Sequence, residues 1–230
     1  MALPLYLALS RLEMDGIHTL PPHPAYMACH FSPGSDGISN CPVSLPENTL
    51  LILDDSLPMD DHDPRRVLRE LEAQLAFHHC QGLLLDFQRP GIPEQQELAQ
   101  LLCTALPCPV VVSEPYAAAL SCPVLLPPVP PDWLLREYLK PWHSREIWLE
   151  AALDGLTLTL TETGCTITPL PDFPAEGQAD VHLHCRYTME PSETSAVFHL
   201  WRTQQDLEEL WKEAENLGVT AAVGLWQELG

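Results

Sequence analysis

Acidic and amide side chains follow several apolar segments of this 230-residue chain. In the stretch GLLLDFQRPG, residues 82–91, three leucines lead directly to Asp86 and Gln88. A buried strand that ends in this way delivers a carboxylate and an amide to the edge of a sheet, where they can hydrogen-bond a polyhydroxylated ligand or transfer a proton. Asp86 is therefore the first candidate for a catalytic residue.

Carboxylates and aromatic rings stand at the ends of other predicted strands as well. The segment PVVVSEP ends beside Glu114, and we expect its strand to be the neighbour of the one that carries Asp86. A carboxyl pair about 5 to 10 Å apart is what glycoside hydrolysis requires, so Asp86 and Glu114 are the predicted catalytic pair. The other candidates at strand ends, all for ligand binding, are His30, Asp54, Asp55, Gln88, Glu150 and Trp226.

The same carboxylates allow a second interpretation, in which Asp54, Asp86 and Glu114 supply oxygen ligands to a divalent metal. No compact metal-binding loop supports it, and the sequence predicts no cofactor. The motifs GxSxG, GxxxxGK(S/T) and GxGxxG are absent, which argues against a serine hydrolase, a P-loop NTPase and a dinucleotide enzyme.

The elements that must position these residues alternate along the chain. Between Thr49 and Val129, apolar strands alternate with amphipathic helices, which indicates a parallel sheet covered by helices. Residues 155–201 instead alternate polar and apolar positions, which is typical of antiparallel hairpins. We therefore predict a single α/β domain over residues 1–230 that carries an antiparallel insertion over 155–201, before the last helix and strand.

The stretch GLLLDFQ resembles the fourth-strand signature DGxDxDxE of the family 18 glycoside hydrolases, which are chitinase-like barrels. Gly82 matches the glycine and Asp86 matches the last aspartate, while Gln88 occupies the position of the catalytic glutamate. Gln81 and Leu84 replace the first two aspartates of the signature. In that family the glutamate protonates the glycosidic oxygen, and Gln88 has no titrating proton to give.

The order of the elements resembles the same family, which places an insertion after strand seven and a tryptophan on the last strand. The resemblance implies a TIM-barrel-like fold in which Asp86 and Gln88 hydrogen-bond a glycan and Trp226 stacks on a sugar. Tyr116 is the nearest candidate for the family's downstream tyrosine. The chain is short for eight complete strand–helix units, and only SEPYAAALS separates two predicted strands, so we expect some helices to be missing.

Composition narrows the class of partner. Eleven Lys and Arg residues against 32 Asp and Glu residues give a net charge of −21, which would repel nucleic acid and anionic membrane surfaces. The N-terminal segment lacks the basic residues and cleavage site of a signal peptide, and no apolar run is long enough to cross a bilayer. The eight cysteines show no CxxC spacing, so we expect reduced, buried thiols in a cytoplasmic protein.

Two functional hypotheses follow. The first is a glycoside-hydrolase-like barrel that either binds or binds and cleaves a small oligosaccharide at the carboxyl ends of its strands. The second is a non-catalytic interaction module whose acidic face meets a protein partner. Exposed tryptophans would favour the second, but the spacing of Trp133, Trp142, Trp201 and Trp211 favours the core. The sequence predicts no oligomeric state.

Overall fold

Eight parallel strands form a closed barrel in the computed structural model, which describes residues 3–34, 37–59 and 62–230. The strands of the chain are β1 (Leu5–Leu9), β2 (Pro24–Phe31), β3 (Ile38–Ser39), β4 (Leu50–Asp54), β5 (Gly82–Asp86), β6 (Val110–Ser113), β7 (Val124–Leu126), β8 (Ile147–Ala151), β9 (Gly155–Thr161), β10 (Gly164–Pro169), β11 (Gln178–Asp180), β12 (Cys185–Pro191), β13 (Ser195–Trp201) and β14 (Val219–Leu225). The helices are α1 (Arg11–Gly16), α2 (Pro64–Phe77), α3 (Pro93–Ala105), α4 (Glu114–Ala117), α5 (Leu135–Leu139), α6 (Gln204–Asn216) and α7 (Trp226–Leu229).

The barrel closes through its first strand. Hydrogen bonds connect the strands in the order β1, β14, β8, β7, β6, β5, β4, β2, and β1 also pairs with β2. All of these pairings are parallel. The prediction of a TIM-barrel-like fold is therefore confirmed, and GLLLD is the fourth barrel strand, as the resemblance implied.

Alternation along each strand separates two apolar layers. Side chains that face inward fill the barrel, and those that face outward pack beneath the helices. The buried residues of the interior are Ala8, Ala25, Leu50, Ile52, Leu84, Val111, Leu125, Trp148, Ala221 and Val223. At its amino-terminal end the rings of Tyr6 and Trp148 stack with their centroids 5.0 Å apart.

The long helices begin where the sequence supplies a cap. The Asp63 side chain accepts a hydrogen bond from the backbone N–H of Arg65, and Pro64 occupies the first turn of α2, where a missing N–H costs nothing. Thr203 and Asp206 form a reciprocal capping box at the start of α6. Gly218 follows α6 with φ +92°, a left-handed conformation that glycine adopts without strain.

The helical layer is uneven. In the crossover from β6 to β7 the structure has only the four residues of α4, and β2 is followed by the two-residue strand β3 before β4 begins. These short connections confirm the expectation that some barrel helices are missing. Among the described residues, no helix has the length and apolar character needed to cross a membrane.

A separate antiparallel sheet lies between β8 and α6 in the chain. Its strands are ordered β10, β9, β13, β12, β11. Between β11 and β12, residues 181–184 form a turn in which His184 has φ +49°. The sheet is tied to the barrel by Arg202, whose buried guanidinium donates to the carbonyl of Val129 in the loop after β7.

Candidate functional site

Three carboxylates enter the barrel because of strand alternation. Asp54, Asp86 and Glu150 each stand two residues after an inward-facing apolar residue, so their side chains share its direction. Asp54 and Asp86 are register partners on the adjacent strands β4 and β5. The parallel strands bring these acids together at the carboxyl end of the barrel.

A cavity of about 590 Å³ opens at this end. Its apolar floor is formed by Ala8, Met27, Ile52, Leu84, Leu125 and Val223. Its polar wall is formed by Asp54, Asp55, Ser56, Asp86, Gln88, Arg89 and Glu150. An apolar floor with a few convergent polar groups is the usual composition of a small-molecule site.

Asp86 is bonded to its own neighbour. The Nε2 amide of Gln88 donates a hydrogen bond to Oδ1 of Asp86. Burial raises the pKa of the Asp86 carboxyl, the Gln88 hydrogen bond acts against this shift, and the charges of Asp54 and Asp55 add to it. The pair therefore presents a carboxylate and an amide side by side at the centre of the wall.

Glu150 faces the same cavity from β8. Burial raises the pKa of Glu150 to about 7, with further contributions from the negative charges of Asp86, Asp154 and Glu228. A carboxyl group with this pKa is substantially protonated at neutral pH, so it can donate a proton or a hydrogen bond.

Asp55 holds the loop that follows β5. It is 4% exposed, and it accepts hydrogen bonds from the backbone N–H groups of Gln88 and Arg89, both at 3.1 Å. The amide of Gln95 and the guanidinium of Arg89 also approach it, at 3.3 and 3.4 Å. Although Asp55 borders the cavity, most of its lone pairs are used within the protein.

Glu114 and Tyr116 lie outside the cavity wall. Glu114 is exposed and is the first residue of α4. Tyr116 is buried, donates to the carbonyl of Arg89 and accepts from the N–H of Ile92 at 3.3 Å. Tyr116 thus supports the loop that carries Gln88, and the structure does not bring Glu114 into the cavity beside Asp86.

His30 and Trp226 are also absent from the residues that line the cavity. His30 lies beyond an irregularity in the pairing of β2 with β4, and its Nε2 is 3.3 Å from the side-chain amide of Asn40. Trp226 is the first residue of α7, and Leu225 just before it lines the cavity instead.

Tyr138 is a neighbour of the site that the sequence pattern did not single out. It lies on α5, and its hydroxyl donates to the carbonyl of Pro127 at 2.9 Å. Burial raises the pKa of Tyr138, and the charges of Glu114 and Glu150 raise it further. Its partner Pro127 lies in the loop after β7, and no local motif encodes that contact.

A metal site finds no support in the arrangement of ligands. In the described part of the chain, no three His, Cys, Asp or Glu side chains are grouped as metal binding requires. Of the three residues in the metal interpretation, Asp54 and Asp86 line the cavity and Glu114 does not.

No family model matches the chain, and no curated protein matches it in sequence. Solved structures do share its fold. The spore cortex-lytic enzyme SleL of Bacillus cereus has a TM-score of 0.61 at 9% identity, over 99% of this chain and 71% of that one. The class V chitinase of Nicotiana tobaccum has a TM-score of 0.59 at 10% identity, over 98% and 94%.

A third similar structure carries a ligand. It is a family 18 chitinase from Cycas revoluta, a double variant that includes a glutamate-to-glutamine change, in complex with (GlcNAc)4. Its TM-score is 0.61 at 12% identity, over 98% of this chain and 94% of that one. At these identities the likeness concerns fold, and the chain has the barrel fold of the family 18 glycoside hydrolases.

Proposed function

We propose that this barrel, with the fold of the family 18 glycoside hydrolases, binds a short oligosaccharide containing N-acetylglucosamine. The observation that carries the proposal is the cavity at the carboxyl ends of the strands, where Asp86, Gln88 and Glu150 converge above an apolar floor. Carboxylates and amides hydrogen-bond sugar hydroxyls, and the apolar floor suits the faces of sugar rings.

The similar structures support this class of ligand. The Cycas revoluta variant holds (GlcNAc)4 although one of its glutamates is replaced by glutamine. A barrel of this fold therefore accommodates an N-acetylglucosamine oligomer in a chain with such a change. In our protein the natural residue at the family's acid position is already Gln88.

Binding without hydrolysis by the family's route is the expected outcome of this arrangement. A neutral amide cannot protonate a leaving group, whereas it can donate and accept hydrogen bonds. Because the Gln88 amide is bonded to Asp86, the two side chains are held as one recognition unit.

Cleavage by a different acid is a second candidate function. Glu150 faces the cavity, and its raised pKa of about 7 keeps part of the population protonated at neutral pH. It would act as the proton donor while Asp86 acts as the second carboxylate of the hydrolytic pair. This route predicts that activity declines as the pH rises above 7, because the donor loses its proton.

The interaction-module alternative has less support. Trp201 is buried, and Trp142 and Trp211 are partly buried against the core. Trp133 differs from the expectation, since it is 50% exposed beside Leu134 at 48%. Two exposed side chains in one loop make a much smaller patch than a protein interface requires.

Calorimetric titration with (GlcNAc)4 and with cellotetraose tests the proposal. We expect the natural protein to bind (GlcNAc)4 and to prefer it to the glucose tetramer. Asp86→Asn should weaken binding by about tenfold or more, because a charged hydrogen-bond acceptor is lost. The matched control is Glu97→Gln on the exposed face of α3, which should bind like the natural protein.

The outcomes separate the candidate functions. A folded protein that binds neither tetramer, or an Asp86→Asn variant that binds as tightly as the natural protein, would refute the sugar site at this strand end. Mass spectrometry of the incubated glycan then distinguishes binding from cleavage. Intact tetramer supports binding alone, and shorter products that disappear in Glu150→Gln support the second candidate.

A further inference from the structure

Two cysteines meet on the side of the barrel, away from the sugar-site cavity. Cys103 lies near the end of α3, and Cys122 lies in the loop between α4 and β7. Their sulfur atoms are 3.0 Å apart. A disulfide bond is about 2.05 Å long, so an approach of about 1 Å would join them.

Both cysteines are partly exposed at the surface. Cys103 and Cys122 are of intermediate exposure and line a surface cavity of about 490 Å³. Arg145 anchors the loop, since its guanidinium donates to the carbonyl of Cys122 and to that of Ala117, both at 2.6 Å. The pair is thus held together at an accessible place.

The two thiols differ in acidity. The Cys103 thiol donates a hydrogen bond to the Cys122 sulfur. This hydrogen bond, a backbone hydrogen bond and the positive charge of Arg145 together lower the pKa of Cys122 to about 7, although partial burial acts in the opposite direction. The same hydrogen bond, together with burial, raises the pKa of Cys103. Since the thiolate is the nucleophile in disulfide exchange, Cys122 would react first and Cys103 would resolve the mixed disulfide.

We infer that Cys103 and Cys122 form a redox-active pair that closes to a disulfide on exchange with a low-molecular-weight disulfide such as oxidised glutathione. The Cys122 thiolate attacks one sulfur of the oxidant, forming a mixed disulfide and releasing one glutathione thiolate. Cys103 then loses its proton and attacks the Cys122 sulfur, releasing the second glutathione. The protein loses two protons and two electrons, and the oxidised glutathione takes them up to become two molecules of reduced glutathione.

The bond would reinforce the crossover from β6 to β7, where the structure has only α4. Residues 103–122 include β6 and α4, the connection in which a full barrel helix is missing. Closing this loop restricts the unfolded chain and so stabilises the folded one. Tyr116 lies within the loop and holds the backbone next to Gln88, so the bond would also steady the rim of the cavity.

Another thiol pair shows why position matters. The side chains of Cys29 and Cys41 are also hydrogen-bonded, but Cys29 is fully buried beneath the helices. The hydrogen bond with Cys41 and burial raise the pKa of Cys29, so its thiolate is scarce and an external disulfide cannot reach it. The same hydrogen bond lowers the pKa of the partly exposed Cys41, so in this pair Cys41 would be the thiol that an oxidant meets. Cys165, by contrast, is exposed on β10 and serves as a control for accessibility alone.

The experiment equilibrates the full chain in a buffer of reduced and oxidised glutathione and maps the disulfides by mass spectrometry. Since no Lys or Arg lies between Cys103 and Cys122, trypsin leaves both in one peptide. Chymotrypsin cuts after Tyr116 and separates them. We expect a Cys103–Cys122 cross-linked peptide and a Tm about 5–10 °C above that of the reduced protein.

The Tm gain should vanish in Cys103→Ser and in Cys122→Ser and persist in Cys165→Ser. If a serine variant does not fold, the natural protein is instead alkylated briefly under native conditions. In that experiment Cys122 should be labelled before Cys29. The inference is overturned if the cross-linked peptide is missing or if Cys103 pairs with Cys108 instead. It is also overturned if the Tm gain survives in the serine variants, or if Cys122 is not labelled before Cys29.

Discussion

The side-chain amide of Gln88 donates a hydrogen bond to the carboxylate of Asp86 at the carboxyl end of the fourth barrel strand. The end of β5 places Asp86 on the cavity wall, and the loop that follows places Gln88 there. Their spacing of two residues lets the amide reach back to the acid. At the position where the family 18 resemblance implies a catalytic glutamate, this chain therefore has a hydrogen-bond donor to the neighbouring aspartate. The properties of the site depend on this pair, and the first prediction alters it.

Gln88→Glu should make stability depend on pH. The change removes the donor and sets a second carboxylate against Asp86, which raises the folded-state pKa of the pair. A raised folded-state pKa means that stability is fully present at low pH and declines as pH rises through that pKa. Since residue 88 is exposed, we expect a loss of about 1 kcal/mol or less at pH 8 and almost none at pH 4. Urea titrations at both pH values measure the free energy of unfolding of the variant and of the natural protein. An equal loss of stability at pH 4 and pH 8 would contradict the prediction.

Glu150→Gln should stabilise the protein, and more so at high pH. The folded-state pKa of about 7 exceeds the ordinary value of 4.5, so the stability of the natural protein falls as pH rises from about 4.5 to 7. The amide removes this loss. We expect the variant to gain about 2–3 kcal/mol at pH 8 and little at pH 4. The measurement is the difference in unfolding free energy between variant and natural protein across this range.

A suitable control for Glu150→Gln is Glu97→Gln, which changes an exposed carboxylate on α3. Its unfolding free energy should differ from that of the natural protein by the same small amount at every pH. A gain for Glu150→Gln that does not grow with pH would show that burial of the ionised carboxylate is not its cause.

Asp54→Ala and Asp55→Ala should separate ligand binding from folding. Asp55 is buried and accepts from the N–H groups of Gln88 and Arg89, so its removal leaves buried donors without partners. We expect a loss of about 2–4 kcal/mol. Among the described contacts, the Asp54 side chain accepts only one hydrogen bond, from the exposed backbone N–H of Ser56. The free energy of unfolding of Asp54→Ala should therefore fall by less than about 1 kcal/mol.

Calorimetry with (GlcNAc)4 completes the comparison of the two aspartates. Because the Asp54 side chain faces the cavity, Asp54→Ala should weaken binding although the fold is intact. The opposite pattern, with Asp54→Ala destabilising the fold and Asp55→Ala leaving it unchanged, would exclude the assigned roles.

Arg202→Met should uncouple the antiparallel sheet from the barrel. The guanidinium is 2% exposed and donates to four carbonyls, those of Val129 and Pro130 after β7 and those of Leu183 and His184 before β12. Losing these bonds should cost about 3–5 kcal/mol. We propose that residues 1–230 unfold as one domain, so calorimetry should show one transition for the natural protein and two for the variant. Arg136→Met, on the exposed face of α5, should retain the single transition.

The alternation of strands made much of the site predictable. Because Ile52, Leu84 and Trp148 face the interior, the period of two carries Asp54, Asp86 and Glu150 to the same face. The order of strands and helices likewise predicted a parallel sheet covered by helices, since parallel strands need crossover connections. These two inferences required only local pattern and the rule that the loops after parallel strands gather on one side. The closure of the sheet into a barrel was implied by the resemblance to the family 18 glycoside hydrolases.

The remaining positions depended on tertiary features that the pattern does not contain. Glu114 begins a short helix immediately after β6, so it leaves the alternation of the strand. His30 follows a change of register between Tyr26 and Cys29, which shifts the direction of the later side chains. The support that Tyr116 gives to the loop after β5 depends on contacts between residues far apart in sequence, and one chain alone does not disclose them.

The stacked rings of Tyr6 and Trp148 determine how a ligand can enter and leave the barrel. In the described part of the chain, these rings and the buried apolar layer above them fill the interior beneath the cavity, so the cavity opens at the carboxyl ends of the strands. A bound ligand must leave through the same opening by which it entered. A long glycan could rest across the opening or insert one terminus, but it could not be threaded through the molecule.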